Sequence, residues 1–162
     1  MIIVLLSSHH DRKAFNCGEP SLNKYLQQQA RQSAAKRVSR TFVAVDDEKT
    51  STILGYHTTL VSILEASQIP SKISKSRIPA LLLARLAVDQ QFQGQGIGEF
   101  LLLDVLRRAV VISEQTGLYA VVLDALTDRA KNFYLRYGFS ELLDDPYHLY
   151  IPIGTIVDLG LV

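Results

Sequence analysis

Residues 81–98 bring an apolar run, a loop with three glycines and the start of a second apolar run into direct succession. The first run, 81–88, is short and interrupted only by Arg85, as a buried strand is. Gly94, Gly96 and Gly98 make the loop, and the apolar positions from Ile97 onward recur at helical spacing. A strand that feeds a glycine loop opening a helix is a phosphate-binding design. The first N–H groups of the helix lack intrahelical acceptors, the helix dipole is positive there, and glycine lets the backbone approach an anion. Two common versions are excluded. The third glycine comes one residue too early for G-x-G-x-x-G, and no Gly-Lys-Ser/Thr follows.

The rest of the chain alternates strand and helix patterns. Residues 1–6 predict a short buried strand. The turn-rich stretch 15–21 leads into a helix that continues to Ala35, with Leu22, Tyr25, Leu26 and Ala30 on one face. Residues 41–45 and 52–63 predict an antiparallel hairpin around the charged turn 46–50, and Gly55 marks a bulge or a close backbone approach. Residues 65–80, with Pro70 and Pro79, read as an excursion containing one short helical turn. The helix from Ile97 runs to Gln115, is closed by Gly117, and turns Glu99, Asp104, Arg107 and Arg108 outward. A buried strand at 119–125 follows, then a helix capped by Thr127 and stopped at Gly138. Strands at 139–143 and 147–153 complete an α+β fold in a single domain, 1–162, with a mixed sheet.

Composition narrows the functional class. Net charge is +1, yet five basic residues and no acid lie between Pro20 and Val45, and four basic residues and no acid between Ala66 and Val88. Two such stretches suggest a local anionic partner or two solvated faces. Cys17 is the only cysteine, so no disulfide forms within the chain, which fits a reducing cytoplasm. The apolar start lacks a basic leader, and no apolar run is long enough to span a bilayer, so no membrane role is expected. His9, His10 and Asp11 have no further ligand at metal spacing and read as a surface loop; no metal site is expected. Cys17 reads as a small hydrophobe rather than a nucleophile.

The hexapeptide Gln91-Phe92-Gln93-Gly94-Gln95-Gly96 fits the Q/R-x-x-G-x-G/A signature of the GNAT family of N-acetyltransferases. About 40 residues on, Ala130-x-x-Phe133-Tyr134-x-x-x-Gly138-Phe139 resembles a second signature of that family, A-x-x-F-Y-x-x-x-G-F. The patterns Phe15-x-Cys17-Gly18-x-x-x-Leu22-Asn23-x-Tyr25-Leu26 and Pro79-Ala80-x-Leu82-Leu83-x-Arg85-Leu86-Ala87-Val88-Asp89 further resemble the acetyltransferase toxins of toxin–antitoxin modules. The resemblance covers nearly the whole chain. It implies the GNAT fold: a mixed, mostly antiparallel central sheet flanked by helices, with acetyl-coenzyme A bound at a splayed central strand. It implies acetyl transfer to the α-amino group of aminoacyl-tRNA, a small ribbon-helix-helix antitoxin as partner, and a homodimer.

The resemblance also implies site residues. The backbone of Leu86, Ala87 and Val88 would pair with pantetheine, with the Val88 N–H a donor to the thioester carbonyl. Gln93, Gly94, Gln95, Gly96, Ile97 and Gly98 would hold the pyrophosphate, and Asn132 is a candidate cofactor contact. Many relatives carry arginine beside the glycines, where this chain has Gln93 and Gln95, so capture falls to backbone N–H groups and the dipole. Tyr134 is the candidate general acid for the departing thiolate; periodicity alone would make it a core aromatic beside Phe133. Asp89 and Asp124 lie near strand ends and suit either a proton relay or a structural role. A dedicated base is not evident. An α-amine titrating near about 7.7–8.0 needs one less than a lysine near about 10.4. Arg31, Lys36, Arg37, Arg40, Lys72, Lys75 and Arg77 suit tRNA phosphates or an acidic antitoxin tail. The competing readings are a metabolic acetyltransferase acting on a small amine or protein N-termini, and a non-catalytic acetyl-coenzyme A-binding module.

Overall fold

The computed structural model describes residues 1–73 and 77–162. The strands are β1 (Ile2–Leu5), β2 (Arg40–Val45), β3 (Gly55–Glu65), β4 (Arg77–Val88), β5 (Ala120–Asp124), β6 (Ser140–Glu141) and β7 (His148–Pro152). The helices are α1 (Pro20–Gln28), α2 (Ala30–Ala35), α3 (Ile97–Ser113), α4 (Asp128–Leu135) and α5 (Ile153–Asp158), with short 3-10 turns at Ala66–Gln68 and Gln90–Phe92. The strands follow the order β1-β2-β3-β4-β5-β7-β6 in one mixed sheet. β1–β2, β2–β3, β5–β7 and β6–β7 pair antiparallel, while Ala80, Leu81 and Leu82 of β4 pair parallel with Ala120, Val121 and Val122 of β5. Among the described residues no helix is long and apolar enough to cross a membrane.

The chain forms two units, Met1–Leu60 with Ala84–Val105 and Val61–Leu83 with Leu106–Val162. In the first, Phe15, Tyr25, Leu26, Ala30, Val43, Val45 and Tyr56 form a core, and Ala44, Leu54, Ile97 and Leu101 form another. Gly55 has a packing reason. A Cβ there would lie 2.8 Å from the Ala87 carbonyl oxygen and 2.9 Å from Leu101 Cδ1, so only glycine lets the first turns of α3 sit this close to the strands. In the second unit, Leu64, Ile69, Ile78, Ala80, Ala120, Val122, Leu142 and Tyr150 form the core.

Several sequence expectations change. The helix expected to run unbroken to Ala35 is bent at Gln29, whose φ of −121° leaves the helical region. Hydrogen bonds pass through the bend, Gln29 N–H to Tyr25 and Ser33 N–H to Gln29, and the new direction buries Ala30 completely. β1 is an edge strand and only half-buried, because it stands at the end of the strand order with β2 as its one neighbour among the described residues. β3 starts at Gly55 rather than Thr52, since Thr52 bridges to Asp11 instead. β4 begins at Arg77. α3 ends at Ser113, and Gly117 does not take the left-handed cap conformation. Asp104, expected outside, is buried. His10 is also buried, its Nδ1 accepting the Ser7 N–H at 3.0 Å, so it is not a surface-loop residue. α5 was not expected from the sequence, although Gly160 at φ +66° closes it as a C-terminal glycine does.

Candidate functional site

The loop after β4 is built from the strand outward. Asp89 N–H donates to the Leu54 carbonyl at 2.9 Å. Peptide groups alternate along a strand, so those of Val88 face the opposite edge of β4. Asp89 is buried, and its two carboxylate oxygens accept the N–H groups of Gln91 (2.9 Å) and Asn16 (3.0 Å). Both oxygens are committed to fixing the loop entry, which gives Asp89 the structural role.

Gly94 and Gly96 take φ of +80° and +82°, and nothing lies within 4 Å of where their Cβ atoms would be. They are required for the backbone turn, and they leave an exposed, open approach to the start of α3. Phe100 N–H closes the first helical turn onto the Gly96 carbonyl at 3.1 Å. The N–H groups of Ile97, Gly98 and Glu99 precede it and have no carbonyl within the helix to bond. This is a cradle that fits a pyrophosphate. Gln95 is exposed beside it. Gln93 folds back, its Nε2 donating to the carbonyls of Val88 (3.0 Å) and Cys17 (3.3 Å). Leu86 and Val88 are half-buried and Ala87 is buried. Cys17 is half-buried and burial pushes its thiol up, away from nucleophilic reactivity.

Tyr134 sits on α4 in the second unit. Thr127 Oγ1 caps that helix by accepting the Ala130 N–H at 3.1 Å. The ring packs edge-on against Phe133 and Phe139, with centroids 5.1 and 5.6 Å away. Burial pushes the phenol well above its ordinary value, so it holds its proton through neutral pH. Gly138 closes the second motif at φ +96°, a left-handed conformation that favours glycine. Asn132 is exposed on the same helix. At the end of β5, Asp124 pairs with His148 Nε2, while His148 Nδ1 lies 2.7 Å from Asp144 Oδ2.

The basic residues fall into separate groups. Arg31, Lys36, Arg37 and Arg40 are exposed around the α2–β2 turn. Arg37 takes φ +59°, closing α2 as a glycine would: its N–H bonds to Ala34 (3.0 Å), and Val38 N–H bonds to Ser33 (2.9 Å). Lys72 and Arg77 are exposed in the second unit, and Lys75 lies outside the described residues.

Sequence reasoning missed Arg85 as a site neighbour. Its guanidinium lies 3.6 Å above the Tyr25 ring, and Tyr25 in turn hydrogen-bonds Ser39 Oγ at 3.0 Å. The available signal was a lone charge in an apolar strand, one residue before Leu86.

Residues 37–141 match the acetyltransferase (GNAT) domain. A tRNA-acetylating toxin of Mycobacterium tuberculosis is 33% identical over 147 residues, covering 89% of this chain and 87% of the relative. A tyrosine-to-phenylalanine variant of KacT superposes with a TM-score of 0.92 at 32% identity, covering 98% of both chains. AtaT complexed with acetyl-methionyl-tRNAfMet gives 0.92 at 28% identity, again with 98% of both chains. A tyrosine-to-phenylalanine variant of AtaT bound to the C-terminus of the antitoxin AtaR and acetyl-CoA gives 0.85 at 26% identity, covering 98% of this chain and 97% of that one.

Proposed function

We propose that this chain, which belongs to the GNAT family of acetyltransferases, moves an acetyl group from acetyl-coenzyme A to the α-amino group of an aminoacyl-tRNA. The observation that carries the reading is the loop after β4. Gly94 and Gly96 turn it through left-handed conformations, with open space before the N-terminus of α3. Acetyl-coenzyme A, when bound, supplies the acetyl group as a thioester. Gly94, Gln95, Gly96, Ile97 and Gly98 hold its pyrophosphate through backbone N–H groups and the helix dipole. Leu86, Ala87 and Val88 offer strand pairing to pantetheine, and the Val88 N–H polarises the carbonyl under attack. Gln93 acts from behind by holding the Val88 carbonyl, and Asn132 supplies a further contact.

Tyr134 gives its proton to the departing sulfur. Its neutral, buried phenol suits that task. No base is assigned. Asp89 is occupied with backbone N–H groups, and an α-amine near about 7.7–8.0 supplies enough neutral nucleophile by itself. Arg31, Lys36, Arg37 and Arg40 of the first unit, and Lys72 and Arg77 of the second, offer positive charge to tRNA phosphates or to an acidic partner, with Lys75 a candidate from the sequence alone. In this reading the protein is a translation-blocking toxin of the cytoplasm. It works as a homodimer and is silenced by a ribbon-helix-helix antitoxin.

The test is acetyl transfer from labelled acetyl-coenzyme A to total aminoacyl-tRNA, with Tyr134→Phe as control. Label on the aminoacyl group, absent with the variant, supports the reading and reveals the acceptor. No label from protein that still binds acetyl-coenzyme A would move the assignment to a small amine or a protein N-terminus.

A further inference from the structure

We propose that Arg85 is a specificity-determining residue: its guanidinium takes the phosphate on the 5′ side of the terminal ribose of the acceptor. This deepens the aminoacyl-ester reading of the acceptor and rests on it.

Side chains alternate between the two faces of β4. Ala87 packs in the core of Phe15, Tyr25, Leu26 and Tyr56, whereas Leu86 and Val88 pack with Ile97 and Leu101 of α3. Arg85 is two residues before Ala87 and shares its face. Its guanidinium accordingly lies 3.6 Å from the centroid of the Tyr25 ring, on the α1 side. The pyrophosphate cradle opens α3, on the other face. Arg85 is therefore separate from the cofactor's phosphates.

The arginine is held in place without being neutralised. Tyr25 is buried, and its hydroxyl lies 3.0 Å from Ser39 Oγ, which fixes the ring. Stacking fixes the guanidinium plane in turn and leaves the N–H groups, which lie in that plane, to a ligand. Among the described residues no carboxylate pairs with Arg85. No acid occurs between Pro20 and Val45, the segment that supplies α1, α2 and β2. Asp89, the next acid after Arg85, has both oxygens on the N–H groups of Gln91 and Asn16. A half-buried charge without a counter-charge has lost part of its hydration, and an incoming anion replaces what was lost.

Distance selects the anion. Val88 is three residues beyond Arg85, about 10 Å along an extended strand. In an aminoacyl ester some eight bonds separate the amine nitrogen from the phosphorus on the 5′ side of the same ribose, about 8–10 Å when extended. An amine attacking a thioester held by the Val88 N–H thus brings that phosphate level with Arg85. A free amino acid carries its carboxyl carbon only about 2.5 Å from the amine, too close to span the interval. Esterification removes that charge from the aminoacyl end, so the 5′ phosphate is the nearest anion the acceptor has. A planar fork of N–H donors suits a phosphate, whose oxygens accept paired hydrogen bonds.

The test compares two acceptors in acetyl transfer from acetyl-coenzyme A: 3′-O-aminoacyl adenosine with and without a 5′-phosphate, each prepared with every standard amino acid. The phosphorylated acceptor is expected to have the higher kcat/KM, by at least about tenfold. Arg85→Gln should abolish that preference, and Arg85→Lys, which keeps the charge but not the stacked fork, should leave an intermediate ratio. Because the readout is a ratio between acceptors, a general loss of structure or of cofactor affinity does not mimic it. Equal use of both acceptors by the unaltered chain, or a preference that survives Arg85→Gln, would overturn the proposal and leave the aminoacyl reading standing. Transfer to neither, from a chain that acetylates a simple amine, would remove the aminoacyl reading and the proposal with it. Should Arg85→Gln fail to fold, calorimetric titration of the unaltered chain saturated with coenzyme A decides. Adenosine 5′-monophosphate is then expected to bind at least about tenfold more tightly than adenosine, and equal affinities would overturn the proposal.

Discussion

His57 Nε2 stands 2.8 Å from Asp104 Oδ2 with both side chains shut away from solvent, so an imidazole of β3 is fastened to a carboxyl of α3. His57 Nδ1 has no hydrogen-bond partner among the described residues, and Phe42 covers the ring at 5.5 Å. Asp104→Leu strips the imidazole of this partner and is expected to cost about 1–3 kcal/mol of stability, read by urea unfolding. His57→Phe combined with Asp104→Leu should recover part of the loss, since neither polar group then remains. A single Asp104→Leu variant as stable as the parent would show that the pair contributes nothing.

Tyr134→Phe keeps the ring and its packing against Phe133 and Phe139. Turnover is expected to fall about a hundredfold or more, while acetyl-coenzyme A binding and the thermal transition stay near those of the parent. Parallel loss of binding and turnover would make the residue structural.

The glycines separate by mechanism. Gly96→Ala meets no neighbour but forces φ +82° on an L-residue, at about 1–2 kcal/mol, so the loop shifts and acetyl-coenzyme A affinity falls. Gly55→Ala drives a Cβ against the Ala87 carbonyl and Leu101, so its expected effect is overpacking of about 1–3 kcal/mol. Calorimetric binding and thermal unfolding on both variants distinguish the two.

Arg37 spends conformational energy to stay where it is. Arg37→Gly relieves φ +59° and is expected to raise stability by about 0.5–1 kcal/mol. If Arg37 serves tRNA, the same variant should transfer acetyl to aminoacyl-tRNA less well at unchanged acetyl-coenzyme A affinity. A more stable and fully active variant would remove Arg37 from the substrate surface.

His148 supplies the pH dependence. Burial works against its charged form, but the hydrogen bond to Asp144 and the charges of Asp124, Asp144 and Asp145 outweigh it and raise its pKa above 6.5. A raised folded pKa gives stability that is full below about 6.5 and is lost as pH rises through the folded value. For Asp144, burial raises the pKa, but hydrogen bonds from His148 and Gln68 outweigh it and lower the value below 3.8. That contribution is present above about 3.9 and is lost as pH falls through the folded value. The contribution of His148 to the thermal midpoint should therefore decline as pH rises above about 6.5 in the parent, and His148→Gln should flatten that decline. An identical alkaline slope in both proteins would rule the residue out.

The legible parts of this chain were those written in local sequence. The strand–glycine–helix unit at 81–98, the Thr127 cap and the close approach at Gly55 each follow from the residue that performs them. The bend at Gln29 was not legible, because Leu22, Tyr25, Leu26 and Ala30 keep helical spacing across it. Asp104 read as an outward residue because its partner lies 47 positions away, and no local pattern reports such a pairing. Arg85 above Tyr25 was hidden for the same reason. Gln93 read as a ligand group from its place in the motif, whereas its amide is taken by two carbonyls of the chain itself.

That amide has a thermodynamic consequence. Gln93 ties the glycine loop to Val88 and Cys17, so the loop loses its conformational freedom when the chain folds rather than when a ligand arrives. A ligand entering there should bind with a smaller entropic penalty than at a slack loop. Because the tether is neutral, ionic strength leaves it intact, whereas an arginine clamp at the same point would loosen as salt rises.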